Sequence, residues 1–82
     1  MQTIYRKWNC WNITSNDQYI ATFGSGVTIL KRSTLEVIHH FTGIHNIIGG
    51  IFINKDILMV YTTEQKLYFL QISEKRLIWT CP

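Results

Sequence analysis

Apolar runs alternate with turn-forming residues along the whole chain. Short runs of branched and aromatic residues, bounded by Gly, Asn, Asp and Ser, are typical of antiparallel strands. The pattern predicts strands in two sets of four, at residues 7–14, 18–23, 27–32, 36–41, 47–53, 57–62, 66–72 and 76–81. No long window places apolar residues at the spacing of an amphipathic helix, so the sequence predicts an all-β fold.

The same apolar pattern occurs twice, because the segment 26–41 is matched by the segment 66–81, forty positions later. The matched pairs are Val27 with Leu67, Ile29 with Phe69, Leu30 with Leu70, Ser33 with Ser73, Val37 with Leu77 and Ile38 with Ile78. Upstream, NDQYIATF aligns with NKDILMVY at an offset of 38, since the second copy has two more residues in the turn TTEQ. The chain therefore divides into repeats at about 7–41 and about 46–81, and 1–6 is a candidate strand for latching onto a neighbouring unit.

The connections between the predicted strands carry the residues that hairpin turns require. Gly24 and Gly26 in FGSGV are expected to adopt positive φ, and the polar turns NDQ, NKD, TEQ, RST and SEK can bond to their own backbone. Because short turns join strands that are neighbours in a sheet, each repeat is expected to form a four-stranded meander.

Apolar residues occupy successive positions in the predicted strands YIATF, ILMVY, KLYFL and GGIFI. A strand with one wet face alternates apolar and polar residues, whereas a strand covered on both faces does not. The sequence therefore predicts sheets that stack face to face. A stacked four-stranded unit of ~40 to 45 residues is the blade of a β-propeller.

The second repeat has a characteristic order of residues. Gly43 and His45 precede its first strand, IFI ends that strand, and NKD forms a polar turn. The segments ILMVYT, LYFLQI and RLIWTC follow as the other three strands. This order resembles a WD40 repeat, which forms the blades of many propellers. The resemblance covers the whole second repeat and, more weakly, residues 8–41, and it implies propeller-type blades.

Two features that mark typical WD40 repeats are absent from both copies. The Trp-Asp pair at the end of the third strand is replaced by Ile72-Ser73, and by Arg32-Ser33 in the first copy. The turn between the second and third strands also lacks its Asp. These blades are therefore not expected to contain the hydrogen-bonded tetrad that braces a typical WD40 blade.

The length of 82 residues limits the chain to one small domain, and small domains usually need support beyond their own core. Without a secretion signal, Cys10 and Cys81 are expected to be reduced thiols, and they have no CxxC spacing for zinc. Two blades do not close a propeller of roughly 4 to 8 blades. The sequence therefore predicts association, with itself in a ring of about three or four copies or with another propeller-bearing chain.

The sequence lacks a pattern typical of catalysis or metal binding. His39 and His40 are adjacent in a predicted strand and point to opposite faces, and His45 lies in a loop. The five acidic residues are scattered, mostly in or beside turns, so no pair is expected to converge for acid–base chemistry. We expect no enzymatic activity, no cofactor and no bound metal.

Candidate contact positions follow from the loops and the exposed residue types. Function on repeat scaffolds concentrates in loops, which gives the candidate partner-contact residues Gly43, Ile44, His45, Asn46, Thr63, Glu64 and Gln65. A candidate basic rim consists of Lys31, Arg32, Lys75 and Arg76, although a net charge of +3 makes nucleic-acid binding unlikely. In an alternative lectin function, the candidate glycan-stacking residues are Trp8, Trp11 and Trp79.

The start of the chain, MQTIYRKWNC, has no apolar segment after its charges, as a signal peptide would have. The longest apolar segment, 44–61, contains charged residues that a bilayer would exclude. We therefore expect a cytoplasmic protein without a membrane segment. The expected function is non-enzymatic protein–protein interaction or scaffolding, and the alternatives are an oligomeric propeller lectin or a fragment or subunit of a larger propeller protein.

Overall fold

The computed structural model of the chain describes residues 12–81, and these residues form two four-stranded antiparallel sheets. The first sheet contains β1 (Asn12–Ser15), β2 (Tyr19–Phe23), β3 (Val27–Lys31) and β4 (Val37–Phe41). The second sheet contains β5 (Ile47–Phe52), β6 (Ile57–Thr62), β7 (Leu67–Gln71) and β8 (Arg76–Cys81). Both sheets have their strands in chain order, so the all-β class and the two meanders are confirmed.

The observed strand limits agree with the predicted limits to within one residue wherever the structure describes both. β6 and β8 begin and end where the sequence pattern places them. The predicted start of the first strand and the candidate latching strand at 1–6 lie outside the described residues.

The first turn of each sheet is built around an asparagine that occupies the same place in the repeat. Asn16 Oδ1 accepts hydrogen bonds from the backbone N–H groups of Gln18 and Tyr19, at 2.9 and 2.8 Å. Asn54 Oδ1 accepts from Asp56 and Ile57, both at 2.8 Å. A short amide side chain that bonds to the backbone two and three residues on favours a tight turn, so the sequence repeat is also a repeat of turn chemistry.

The β2–β3 and β6–β7 hairpins differ in the way the alignment predicts. The last strand pair before the loop is Phe23 with Val27 in the first sheet and Tyr61 with Leu67 in the second, which leaves two more loop residues in the second. Gly26 has a φ of 143°, as expected, and a Cβ there would lie 2.5 Å from the carbonyl oxygen of Phe41. The positive φ expected at Gly24 is wrong, because one left-handed residue suffices to close this loop.

The β3–β4 pair and the β7–β8 pair each contain a register shift at the same place in the repeat. The register between β3 and β4 shifts between Ile29 and Leu30, and the register between β7 and β8 shifts between Phe69 and Leu70. These are corresponding positions in the alignment. A β-bulge inserts one residue and increases the local twist, so both sheets are bent at the same point.

The two sheets pack face to face around one hydrophobic core, as the sequence predicts. The first sheet contributes Ala21, Phe23, Val27, Ile29 and Phe41, and the second sheet contributes Ile47, Leu58, Val60 and Leu70. Ile44 and Ile72, which lie just outside strands, complete the core. β1 lies beside β5, and Asn12 Nδ2 donates a 3.0 Å hydrogen bond to the carbonyl oxygen of Ile48 across this junction.

Burial differs between the sheets. In β2 and β3, the central residues that alternate with the core residues are also buried: Leu30 is 0% exposed, Thr22 is 1% exposed, and Thr28 is buried. On β4, Val37 and His40 on the same face are exposed. In the second sheet, the alternating residues Ile51 and Trp79 are exposed. The expectation of strands covered on both faces is therefore correct for the central residues of β2 and wrong for β5, β6 and β7, where the residues that alternate with the core are exposed or only half-buried.

Gly50 on β5 allows this close contact between the sheets. A Cβ at this position would lie 2.5 Å from the carbonyl oxygen of Met59 and 3.0 Å from Cζ of Phe23. Gly50→Ala should therefore lower the free energy of unfolding by ~1 to 3 kcal/mol, the usual cost of overpacking. Urea denaturation monitored by circular dichroism measures this change.

The control is Gly43→Asn, because Gly43 lies in an exposed turn with a φ of 84° and a Cβ there would meet no atom within 4 Å. Asparagine tolerates positive φ better than most residues, so this variant should unfold within ~1 kcal/mol of the wild type. Equal stability of the wild type and Gly50→Ala would contradict the tight packing at Gly50.

Candidate interaction surface

The face of the second sheet that points away from the first sheet is apolar, and we call it the outer face. It consists of Ile51, Ile57, Met59, Tyr61, Leu67, Phe69 and Trp79, which alternate along the strands with core residues. Strand register aligns Ile51 with Met59, Met59 with Phe69 and Phe69 with Trp79. These four side chains form a continuous apolar row across all four strands.

The two ends of this row are the most accessible. Trp79 is 60% exposed and Ile51 is 49% exposed, whereas Met59 and Phe69 between them are half-buried. The rings of Phe69 and Trp79 stack, with centroids 5.1 Å apart and planes at 27°. Contiguous exposed apolar patches mark interaction sites on soluble proteins more often than scattered apolar residues do, which makes the outer face the main candidate site.

The repeat relates the outer face to a surface that is buried elsewhere in the same chain. Met59 corresponds to Ala21 and Phe69 to Ile29, and both of these first-sheet residues lie in the core against the second sheet. Trp79 corresponds to His39, whose ring packs edge-on against Phe41 at 4.6 Å. The same face of the repeat is thus packed against a sheet in the first copy and bare in the second.

The structure brings together the two loops that the sequence selects as partner contacts. The loop with Gly43, His45 and Asn46 joins β4 to β5, and the loop with Thr63, Glu64 and Gln65 joins β6 to β7. The backbone N–H of Thr63 donates a 2.8 Å hydrogen bond to the carbonyl oxygen of Asn46. Ile44 does not contribute to this surface: its side chain is 5% exposed and packs in the core, where an apolar residue gains most from burial.

The candidate basic rim is divided and partly engaged. Lys31 and Arg32 lie at the β3–β4 turn, and Lys75 and Arg76 lie at the β7–β8 turn, all with exposed side chains. The two turns correspond in the repeat but the basic residues do not, since Arg32 corresponds to Ile72 and Lys75 to Leu35. Arg32 Nη1 donates a 3.2 Å hydrogen bond to the carbonyl oxygen of Asn16. Lys31 shares a groove of about 550 Å³ with Asp17 and Glu36. This mixture of charges is unlike the uniform basic surface that a phosphate backbone requires.

The three histidine side chains have different surroundings. His39 packs against Phe41 on the core side, whereas His40 Nδ1 pairs with Thr28 Oγ1 at 2.7 Å on the other side. His45 is exposed in the β4–β5 loop. Within residues 12–81, no group of three or more His, Cys, Asp or Glu side chains could hold a metal ion.

Of the candidate tryptophans and cysteines, only Trp79 and Cys81 lie within the described residues. Trp79 lies on the outer face, while Trp8 and Trp11 lie outside residues 12–81. Cys81 is half-buried at the end of β8, and Cys10 lies outside the described residues. The thiol state expected for the two cysteines stays a prediction.

A polar cleft of about 450 Å³ lies where the first turns of the two sheets meet. It is lined by Ser15, Asn16, Asp17, Gln18, Phe52, Ile53, Asn54 and Lys55. Asn16 Nδ2 lies 3.4 Å from the carbonyl oxygens of both Asn54 and Lys55 and joins the two turns. The cleft therefore lies between two corresponding turns, and the side chain of Asn16 bridges them.

A hydrogen-bonded pair that the sequence did not reveal braces the second sheet. Asp56 lies immediately before β6, and its carboxylate accepts two hydrogen bonds from Ser73. The backbone N–H donates one at 2.8 Å and the hydroxyl Oγ donates the other at 2.6 Å. The Ser73 hydroxyl lowers the pKa of Asp56 below its ordinary value of 3.8. Desolvation opposes this, and the backbone N–H of Ser73 and the side chain of Gln71 lower the pKa further. The available signal was Ser73 itself, which stands in the place of the missing Asp of the WD40 pattern.

The Asp56–Ser73 pair predicts a defined pH dependence. A carboxyl whose pKa is lowered by folding stabilises the fold above its unfolded pKa, and this stability is lost as the pH falls through the folded pKa. Asp56→Asn should therefore be less stable than the wild type at pH 7, and the difference should shrink below about pH 4. Thermal unfolding from pH 7 to pH 3 measures it.

The controls use the two corresponding serines. Ser73→Ala removes the hydroxyl donor and should reproduce part of the Asp56→Asn effect, with less than additive loss in the double variant. Ser33→Ala should leave stability unchanged, since Gln18 and not an acid corresponds to Asp56 in the first repeat. A difference between the wild type and Asp56→Asn that stays constant with pH would contradict the role of this carboxylate.

Comparison with known proteins assigns no family: no family model matches the chain, and no curated protein or solved structure is significantly similar to it. Between residues 12 and 81, no helix is long and apolar enough to cross a membrane. The findings support an all-β chain of two four-stranded antiparallel sheets, consistent with blade-like units.

Proposed function

We propose that this chain is a non-enzymatic protein–protein interaction module of β-propeller type, and that its outer face is the surface through which it associates. The observation that carries this proposal is the bare apolar row on the second sheet, in which Ile51 and Trp79 are about half-exposed or more. Burying apolar surface is favourable by ~25 cal/mol per Å². A face of this composition is therefore stabilised when another protein surface covers it.

The propeller-type interpretation is supported by the way the units repeat. Each sheet is a four-stranded meander, the β3–β4 and β7–β8 bulges lie at corresponding positions, and the sheets pack face to face. The WD40-like sequence features of 43–81 agree with this arrangement. A pair of such blades needs further blades to be complete, from copies of the same chain, from another propeller-bearing chain, or from the rest of a larger propeller protein.

The alternative of a glycan-binding lectin has one specific observation in its favour. Trp79 presents an exposed indole ring, and flat aromatic rings are suited to stacking on other flat or apolar surfaces. The corresponding residue, His39, is packed against Phe41 and so does not repeat the site. A lectin with one site in each blade would repeat its aromatic residue, so protein–protein association explains the geometry better.

Substitution on the outer face tests the proposal. In multi-angle light scattering at micromolar concentration or above, the wild type should have a mass larger than one chain. Trp79→Lys should weaken association by roughly thirtyfold or more, because losing a buried interface Trp costs ~2 kcal/mol or more. Since Trp79 is exposed on an edge strand, lysine is compatible with the folded chain.

The matched control is Leu35→Asn. Leu35 is 49% exposed, like Ile51, but lies in the β3–β4 turn, away from the outer face. Its φ of 64° suits asparagine, so this variant should keep the wild-type mass. A monomeric wild type, or equal dissociation of both variants, would contradict self-association through the outer face.

A further inference from the structure

We propose that residues 1–11 of this chain lie across the face of the first sheet that points away from the second sheet, and that they bury its centre. We call this surface the far face, and its described residues include Thr22, Thr28, Leu30, Val37 and His40. The inference concerns the first sheet and does not depend on the proposed function. It is carried by burial that no layer within residues 12–81 explains.

The centre of the far face is closed to solvent. Leu30 is 0% exposed and Thr22 is 1% exposed, yet Leu30 lies outside the hydrophobic core that joins the two sheets. The second sheet is the only other layer formed by residues 12–81, and it packs on the opposite side of the first sheet. Neighbours within a sheet flank a side chain but do not close it off from above. A further part of the chain therefore covers Leu30.

The order of the chain identifies this cover. The burial arises within a single chain, so the cover is neither a second copy nor a different protein. Outside residues 12–81 the chain has only residues 1–11 and Pro82. Pro82 is one residue and follows β8, in the second sheet. Residues 1–11 directly precede β1, which pairs with β2 in the first sheet, so they are the segment that can reach the far face.

The length of the segment suits this position. An extended chain advances ~3.3 Å per residue, so residues 1–11 can reach up to ~36 Å. β1 and β3 are two strand spacings apart, or ~10 Å, so the segment can cross both β2 and β3 from Asn12. It can supply at most about two short strands, which is less than a whole sheet. This limited width agrees with the exposure of Val37 and His40 on the edge strand β4.

The repeat indicates that the far face is built for packing. Thr22 corresponds to Val60 and Leu30 to Leu70. Both second-sheet residues are 0% exposed, because the first sheet, which precedes them in the chain, packs on them. The segment that precedes the first sheet is residues 1–11. The same face of the repeat is thus covered, in each copy, by the part of the chain that comes before it.

The composition of the segment fits an uncharged surface of threonine and leucine. The sequence MQTIYRKWNCW contains the large apolar residues Ile4, Tyr5, Trp8 and Trp11. Aromatic side chains bury the largest areas in protein cores. The proposed contact gives Trp8 and Trp11 a packing role in place of glycan stacking. It also keeps residues 1–6 on their own chain, whereas a latching strand would pair with a neighbouring unit.

Thiol labelling of the full-length chain tests the cover. A reporter chain carries Thr22→Cys, with Cys10→Ser and Cys81→Ser to remove the native thiols. Iodoacetamide should label it at least ~tenfold more slowly than in urea, since a buried thiol reacts only when the structure opens. Adding Tyr5→Asp and Trp8→Asp should raise the labelling rate roughly tenfold or more, because carboxylates are costly to bury against an apolar surface. Mass spectrometry measures the rates, and circular dichroism checks the fold.

The matched control is a reporter with Val37→Cys in the same background. Val37 is 41% exposed on the same face, so this reporter should be labelled quickly with or without the two aspartates. Fast labelling of the Thr22→Cys reporter would overturn the proposal. A slow rate that the aspartates leave unchanged, in a folded chain, would also overturn it.

Photocrosslinking separates a contact within the chain from a latch between chains. With p-benzoylphenylalanine in place of Trp8, irradiation of the full-length chain should join the segment to β2 or β3. In an equal mixture of unlabelled and isotope-labelled chains, each crosslinked peptide pair should carry a single isotope form. Mixed pairs would show a latch onto a neighbouring copy and would overturn the proposal, as would crosslinks to the second sheet alone or no crosslink at all.

Discussion

The face-to-face contact between the two sheets is the interaction on which the rest of the structure depends. At Gly50, the absence of a side chain leaves room for the ring of Phe23 from the first sheet to pack against the second. Around it, the apolar residues of both sheets form a single core. A lone four-stranded meander has no second layer to bury its apolar residues, so neither repeat is expected to be stable without the other.

The same contact explains why two similar repeats have different surfaces. The core side of the first sheet and the outer face of the second sheet correspond residue by residue, as in Ile29 and Phe69. The first finds a partner sheet within the chain, and the second does not. An apolar face that the repeat pattern builds for packing is thereby left at the surface, and this asymmetry connects the fold to the proposed function.

The strands, the hairpins and the repeat could be predicted from the sequence because they depend on local patterns. Apolar runs bounded by Gly and Asn give strand limits, and the offset between repeats gives the longer β6–β7 loop. Side-chain contacts between residues distant in sequence could not be predicted in this way. Asp56 and Ser73 are distant in sequence and meet only because β6 lies beside β7. Ile44, selected as a loop residue, is buried because the loop turns into the core.

The dependence of the unfolding temperature on chain concentration tests the central claim most directly. A partner that binds only the folded chain stabilises it, and this stabilisation grows with concentration. If copies cover one another's outer face, the midpoint of thermal unfolding should rise over a roughly hundredfold increase in concentration. A midpoint that stays constant over that range would show that the outer face remains uncovered by a second copy, and would contradict the account.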